Sequence, residues 1–123
     1  MNRQLTGAVK SFVILTQHFI EAIDLTEALN AVGPAHVTHI PTVAELLALA
    51  KNPAFSPDGA FLAGWSVGPE NVERSAKILR ERGTRLVLID GEPEEAHRVG
   101  ALHLMRPFGA SELEPIIAAI RAD

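Results

Sequence analysis

The 123-residue sequence has no cysteine, which excludes disulfides, thiolate catalysis and cysteine-built metal sites together and permits a reducing, cytoplasmic setting. No stretch approaches the about 20 consecutive apolar residues that a bilayer-spanning helix needs, so no membrane role is expected. The opening segment, Met1 to Lys10, is polar and lacks the apolar core of a signal peptide. Basic residues are neither abundant nor clustered: 11 Lys and Arg stand against 15 Asp and Glu, for a net charge of −4. Neutralising a phosphate backbone takes a concentrated basic face, so direct nucleic-acid binding is not expected. Neither G-x-x-x-x-G-K-[ST] nor G-x-G-x-x-G occurs, and Gly33-Pro34 and Gly68-Pro69 read as turns rather than phosphate loops. There is no internal repeat and no low-complexity segment.

What is present is an ordinary globular composition, 47% hydrophobic and 21% charged, over a length that suits a single domain spanning 1–123. Short apolar runs alternate with amphipathic stretches. The runs are Ser11 to Leu15, a weaker Ala35 to Ile40, Ala60 to Trp65, Arg85 to Ile89 and Ala101 to Met105. Runs of this length without strict alternation suit strands buried on both faces of a parallel sheet.

Between them, Phe19 to Val32 has helical period, with Phe19, Ala22, Ile23, Leu25, Thr26, Leu29 and Val32 on one side. Thr42 to Ala50 opens on a capping box, Thr42-Val43-Ala44-Glu45, followed by a stripe of Val43, Leu46, Leu47 and Ala50. Pro69 to Arg82 turns Val72, Ala76, Ile78 and Leu79 inward and offers Glu70–Arg74, Glu73–Lys77 and Lys77–Glu81 as i,i+4 pairs, with Gly83 as a stop. Only Gly91 to Val99 separates Asp90 from Gly100, so the fourth helix is short. The last helix opens at a second capping-box pattern, Ser111-Glu112-Leu113-Glu114, or at Pro115, and buries Leu113, Ile116, Ile117 and Ile120.

A strand–helix unit repeated five times predicts an α/β fold: a doubly wound, five-stranded parallel sheet, (β/α)5, in a three-layer sandwich with right-handed crossovers. In such folds ligands gather at the carboxyl ends of the strands. Those ends are Thr16, Gln17 and His18; Gly64, Trp65 and Ser66; Asp90 and Gly91; Arg106 and Pro107.

Over nearly its whole length the chain resembles a CheY-like response-regulator receiver domain, a flavodoxin-like fold. Phe12-Val13-Ile14-Leu15 resembles that family's first strand, Ala60-Phe61-Leu62-Ala63-Gly64-Trp65 its third and Leu86-Val87-Leu88-Ile89 its fourth. Gly100-Ala101, followed by Met105-Arg106-Pro107-Phe108, resembles the Gly-Ala and Lys-Pro-Phe signature around the fifth strand, whose Lys-Pro bond is usually cis. The resemblance implies two-component signalling, in which a magnesium-dependent phosphoryl transfer loads an aspartate at the end of the third strand.

The residues for that chemistry are altered in this sequence. The family's acidic pair falls on Thr16 and Gln17, the acceptor aspartate on Gly64 or Ala63, the switch hydroxyl on Asp90 and the lysine on Arg106. Magnesium takes hard anionic oxygens, and of these positions only Asp90 supplies one. An acceptor without a carboxylate cannot form an acyl phosphate. Asp90 and Arg106 are expected to form an ion pair that fills the phosphate pocket from within the protein. The reading is therefore a pseudo-receiver without enzymatic activity, cofactor or metal.

Other constellations carry less. His36 and His39 have metal-like spacing, but on a strand i and i+3 face opposite sides, so they read as edge or surface histidines. His18 and Trp65 sit at the mouth of the degenerate site, and His97 and His103 have no readable partner. The first helix presents Ile20, Asp24, Glu27 and Ala31 outward. In receivers this helix meets the histidine-bearing bundle of a kinase; the plainer reading is a solvated face with one stray Ile.

The expected partner is a protein: a histidine kinase, a phosphotransfer protein or another regulator. A homodimer through the fifth-strand side is a further option, although the short fourth helix alters the face on which receivers usually dimerise. The alternative function is a small-molecule sensor using the vacated strand edge near His18, Trp65 and Asp90. A degenerate enzyme with Asp90 and His18 as acid and base ranks last. Met1 reads as a natural start, and Arg121-Ala122-Asp123 follows directly on the last helix, so an output domain could follow.

Overall fold

A computed structural model describes residues 9–106 and 108–121; the side chain of residue 121 is not described. Pro107, where the resemblance places the proline of the family's Lys-Pro bond, and most of the N-terminal and C-terminal segments weighed above lie outside the described residues.

Five strands form one parallel sheet: β1 (Lys10–Leu15), β2 (Ala35–Ile40), β3 (Gly59–Ala63), β4 (Arg85–Ile89) and β5 (Ala101–Leu104), in the order β2-β1-β3-β4-β5. The helices are α1 (Phe19–Val32), α2 (Val43–Ala50), α3 (Gly64–Val67), α4 (Pro69–Glu81), α5 (Pro93–Val99) and α6 (Ala110–Arg121). The central strands read as unbroken apolar runs because both of their faces are covered. Val13, Leu15, Ala60, Leu62, Leu86 and Leu88 pack with the buried faces of α2, α4 and α5. Their alternates Phe12, Ile14, Phe61, Val87 and Ile89 pack with α1 and α6. Three layers result, as expected. Gly59 is required by this packing: a Cβ there would stand 2.9 Å from Phe12 and 3.1 Å from Ile120.

Several local expectations are corrected. The apolar run Ala60 to Trp65 is not all strand: the ladder ends at Ala63, and Gly64–Val67 forms one helical turn that Gly68 closes at φ +89°. The fifth strand ends at Leu104, before Met105. On α1, Ala22, Leu25 and Leu29 are buried, but Phe19 and Ile23 are 66% and 39% exposed. The helix is apolar around most of its circumference, so periodicity marks too wide a stripe.

On α4 Val72, Ala76 and Leu79 are buried as expected, Ser75 is buried with them, and Ile78 is only half-buried. Glu73 lies 3.5 Å from Arg98 of α5, which replaces the expected helix pair with Lys77. At α2 the hydroxyl half of the capping box is present, with Glu45 N–H donating to Thr42 Oγ1 at 3.2 Å. At α6 the cap lies two residues earlier than Ser111: Gly109 N–H donates to Glu112 Oε1 at 2.7 Å, and Pro115 lies inside the helix instead of starting it. The short fourth helix of the sequence reading is α5, seven residues long.

Candidate functional site

The carboxyl ends of β1, β3, β4 and β5 meet at one edge, and an arginine holds them together. Thr16 leaves β1 fully buried, and its backbone N–H reaches Ile40 O across to β2. Its hydroxyl donates to Glu21 Oε1 at 2.9 Å and accepts from His18 N–H at 3.1 Å, which fixes the turn into α1. Gln17 is exposed and binds through its backbone, donating N–H to Ser66 Oγ on α3 at 2.8 Å. Where the resemblance places an acidic pair, then, one residue orients Glu21 and the next ties two loops together.

Asp90 follows β4 with φ +60°, a left-handed conformation that Asp tolerates better than most residues, and Gly91 continues it at +78°. The turn is clamped from β5. Asp90 N–H donates to Leu104 O at 2.8 Å. His103 Nε2 lies 3.0 Å from Asp90 O and 3.2 Å from Gly91 O, and two carbonyl acceptors require the proton on that nitrogen. His103 therefore has partners that the sequence did not reveal. His39 does too: its Nε2 reaches Thr16 O at 2.8 Å.

The expected Asp90–Arg106 pair is present and two-pronged. Arg106 N–H donates to Asp90 Oδ1 at 2.9 Å, and Nη1 donates to Oδ2 at 2.8 Å. The other end of the guanidinium pairs with Glu21, whose side chain is only 10% exposed. Partial burial lowers the Arg106 pKa from its usual value; a guanidinium starts so high that the charge is retained. Arg106 also lies 4.5 Å from the centre of the Trp65 ring, a cation–π distance, and His18 stacks on the same indole at 4.1 Å and 34°.

Glu21 is the site residue that the sequence reading missed. It corrects the expectation that Asp90 alone supplies an anionic oxygen here. The last-ranked reading, with Asp90 and His18 as acid and base, gains no geometric support: Asp90 is held by Arg106, His18 lies on Trp65, and no hydrogen bond joins them.

The donor set does not fit magnesium. Both carboxylates converge on a cation, which occupies the charge-neutralising role a metal would have. Of the two residues on which the resemblance places the acceptor, Gly64 or Ala63, Ala63 is fully buried as the last ladder residue of β3, paired with Ile89. A Cβ on Gly64 would face Leu88 Cδ1 at 3.2 Å, Val72 Cγ2 at 3.6 Å and Glu95 Oε1 at 4.0 Å, which places it toward α4 and α5. Among the described residues, no group of three or more His, Asp or Glu is arranged to hold a metal ion.

Beside the cluster lies an open groove of about 410 Å³, lined by His18, Ile20, Glu21, Asp24, Trp65, Arg106 and Phe108. Two of the four outward α1 residues, Ile20 and Asp24, therefore border the site. Glu27 instead lines a smaller cavity of about 190 Å³ with Phe19, Ile23 and His39, between α1 and β2. Ala31 is exposed and borders neither cavity.

Comparison with solved structures places this architecture. A response-regulator receiver protein from Burkholderia phymatum superposes with a TM-score of 0.78 at 19% identity, covering 92% of this chain and 95% of its own. The CheY-like receiver domain from Methylobacillus flagellatus gives 0.75 at 20% identity, covering 92% and 99%. A protein from Burkholderia pseudomallei described as pilus assembly-related gives 0.77 at 14% identity, covering 99% and 96%. The fold is the receiver fold. No family model matches the sequence, and no curated protein matches it. The cluster of Thr16, Glu21, Asp90 and Arg106 lies at the carboxyl edge of the sheet. Among the described residues no helix is long and apolar enough to cross a membrane.

Proposed function

We propose that this chain is a pseudo-receiver: a phosphorylation-independent interaction module of two-component-type signalling that binds protein partners and turns over no substrate. One observation carries the reading. Arg106 is held between Asp90 and Glu21, at an edge where the acceptor position offers only the methyl of Ala63 or the bare backbone of Gly64. An acyl phosphate needs a carboxylate free to attack the phosphoryl group and cations that neutralise the transferring oxygens. Here Asp90 and Glu21 share the Arg106 guanidinium, so neither of these two carboxylates stands free. A histidine kinase, a phosphotransfer protein or another regulator is the partner class, in a cytoplasmic setting, with self-association through the β5 side as a further mode.

A second reading has an observation of its own. The groove of about 410 Å³ beside Trp65 falls in the size range of small-ligand sites, so a small-molecule sensor is the alternative function. Against it, Trp65 is already engaged by His18 and Arg106, leaving less aromatic surface for a ligand.

Trp65 is the only tryptophan, and it touches the cation that phosphorylation chemistry would have to displace. Its fluorescence is to be followed while magnesium and then beryllofluoride, which needs an aspartate carboxylate, are added. The expected result is no saturable change. A saturable, magnesium-dependent response would overturn the reading and make Asp90 or Glu21 a functional carboxylate.

A further inference from the structure

A strand at the rim of a sheet leaves half of its backbone groups without ladder partners. Folds usually guard such rims with charged side chains, proline, bulges or very short strands. Strand β2 is one rim of this sheet. Its six residues include no Lys, Arg, Asp, Glu, Gly or Pro, and they pair with β1 in unbroken register. Ile40 O accepts from Thr16 N–H, so Ile40, Thr38 and His36 direct their backbone groups toward β1. Direction alternates along a strand, so Ala35, Val37 and His39 direct N–H and C=O outward, where they meet no partner among the described residues. The other rim is better guarded. Strand β5 has four residues, and because Leu104 O faces the β4 side, only Ala101 and His103 point outward.

The α1 layer is also open on the β2 side. Phe19 and Ile23 are exposed, and with Thr26, Glu27 and His39 they line the cavity of about 190 Å³ beside this rim. The Phe19 and His39 rings lie 6.1 Å apart, which sets the two elements level at that point. From there α1 runs antiparallel to β2. Ile23 is four helical residues on, about 6 Å, and Val37 is two strand residues back, about 7 Å, so these two are level as well. Glu27, about 12 Å along the helix, is level with Ala35, about 13 Å along the strand.

We propose that β2 pairs antiparallel with β2 of a second copy about a two-fold axis at Val37, joining two five-stranded sheets into one. Val37 then exchanges hydrogen bonds with its counterpart, and on either side Ala35 does so with His39 of the other copy. Pro41 has no N–H and ends the ladder there. Helix α1 links β1 to β2. With strands about 4.8 Å apart, a helix over that pair lies about 10 Å from its symmetry mate, an ordinary helix-packing distance. Ile23 meets Ile23 across the axis. Glu27 faces the Phe19 end of the other helix and not its own counterpart, so like charges are not opposed. This self-matching selects the occupant. A strand of another protein would pair the backbone but leave Phe19 and Ile23 in water, and a ligand in the cavity would leave the backbone unpaired. The mode goes beyond the interaction-module reading and uses the rim opposite β5.

The test is sedimentation equilibrium of the full chain over a range of concentrations, where a monomer–dimer equilibrium is expected. Ile23→Asp puts two carboxylates at the axis, and Ala35→Pro removes an outward donor while leaving the β1 ladder intact. Each should weaken the dimer about tenfold or more. Circular dichroism checks that both variants fold. Register is tested by cysteine pairing, since the chain has no cysteine of its own. His36 and Thr38 are exposed and would face each other across the rim at about 4.5 Å between Cα atoms, within disulfide reach. The double variant His36→Cys, Thr38→Cys should therefore form covalent dimers on oxidation, and either single variant should not. A mass of one chain at every concentration, a dimer indifferent to Ile23→Asp and Ala35→Pro, or equal cross-linking of single and double variants would each overturn the proposal. Failure here is separable from failure of the pseudo-receiver reading, which is read at Trp65 with beryllofluoride.

Discussion

The two edges of the sheet use polar side chains in opposite ways. At the amino edge, side chains chiefly satisfy backbone. Asp58 Oδ2 accepts from Ser11 N–H at 2.7 Å, and Thr84 Oγ1 donates to Pro57 O at 2.8 Å. Arg82 reaches across from the end of α4 to the carbonyls of Ala50, Asn52 and Phe55, at the tail of α2 and the loop that leads to β3. At the carboxyl edge the principal contacts join side chains to one another: Thr16 to Glu21, Glu21 to Arg106, Arg106 to Asp90 and Trp65. The first pattern closes loops whose carbonyls would otherwise lack partners. The second concentrates charge beside an open groove, which loop closure does not require.

The contrast can be broken by comparing the two arginines. Arg82→Ala removes a charged donor from three carbonyls, and we expect a loss of about 2 kcal/mol in chemical denaturation. Arg106→Ala leaves the nearly buried Glu21 without its cation, but the Arg106 side chain is itself 35% exposed and the pair is screened by water. Its expected cost is smaller, about 1 kcal/mol, with a marked change in Trp65 emission as the cation leaves the ring. If Arg106→Ala proved as costly as Arg82→Ala, the carboxyl-edge cluster would be a structural staple like its counterpart, and the functional assignment of that edge would lose its basis.

The sequence makes one of these edges far more legible than the other. The layers were readable because β1, β3 and β4 are buried on both faces, so their apolar runs are unbroken, and β2, β4 and α1 have the bounds the pattern predicts. Asp90 and Arg106 were readable as a pair because each follows an apolar run, Asp90 directly after β4 and Arg106 two residues after β5. Glu21 was not, because it arrives from the first turn of a helix, five residues past Thr16, and spacing along the chain does not reveal that approach. Arg82 was equally hidden, since beside Gly83 it looks like an ordinary last-turn cation. Phe19 and Ile23 were assigned inward because hydrophobic period identifies a face only when the other face is polar, and on α1 apolar residues continue onto the solvent side. Thus the residues least legible in sequence are those that reach their partners from a helix rather than from the end of an apolar run.

The smallest effect tests whether the division between edges is complete. Glu112 lies at the start of α6, on the carboxyl edge, yet it serves backbone as amino-edge residues do, accepting from Gly109 N–H. That bond, with the Ser111 hydroxyl at 3.1 Å, holds the Glu112 carboxyl below its usual pKa of 4.5. A carboxyl whose pKa is lower in the folded than in the unfolded state stabilises the fold above the unfolded-state pKa, and the benefit disappears as pH falls through the folded-state value. Glu112→Gln should therefore be slightly less stable than the parent chain at neutral pH, and the difference should close in acid. Paired denaturation curves across that range measure it. An equal deficit at every pH would mean that geometry, not charge, makes the cap. No deficit at any pH would mean that water replaces the cap at this exposed position, leaving the amino edge as the one where side chains hold the backbone.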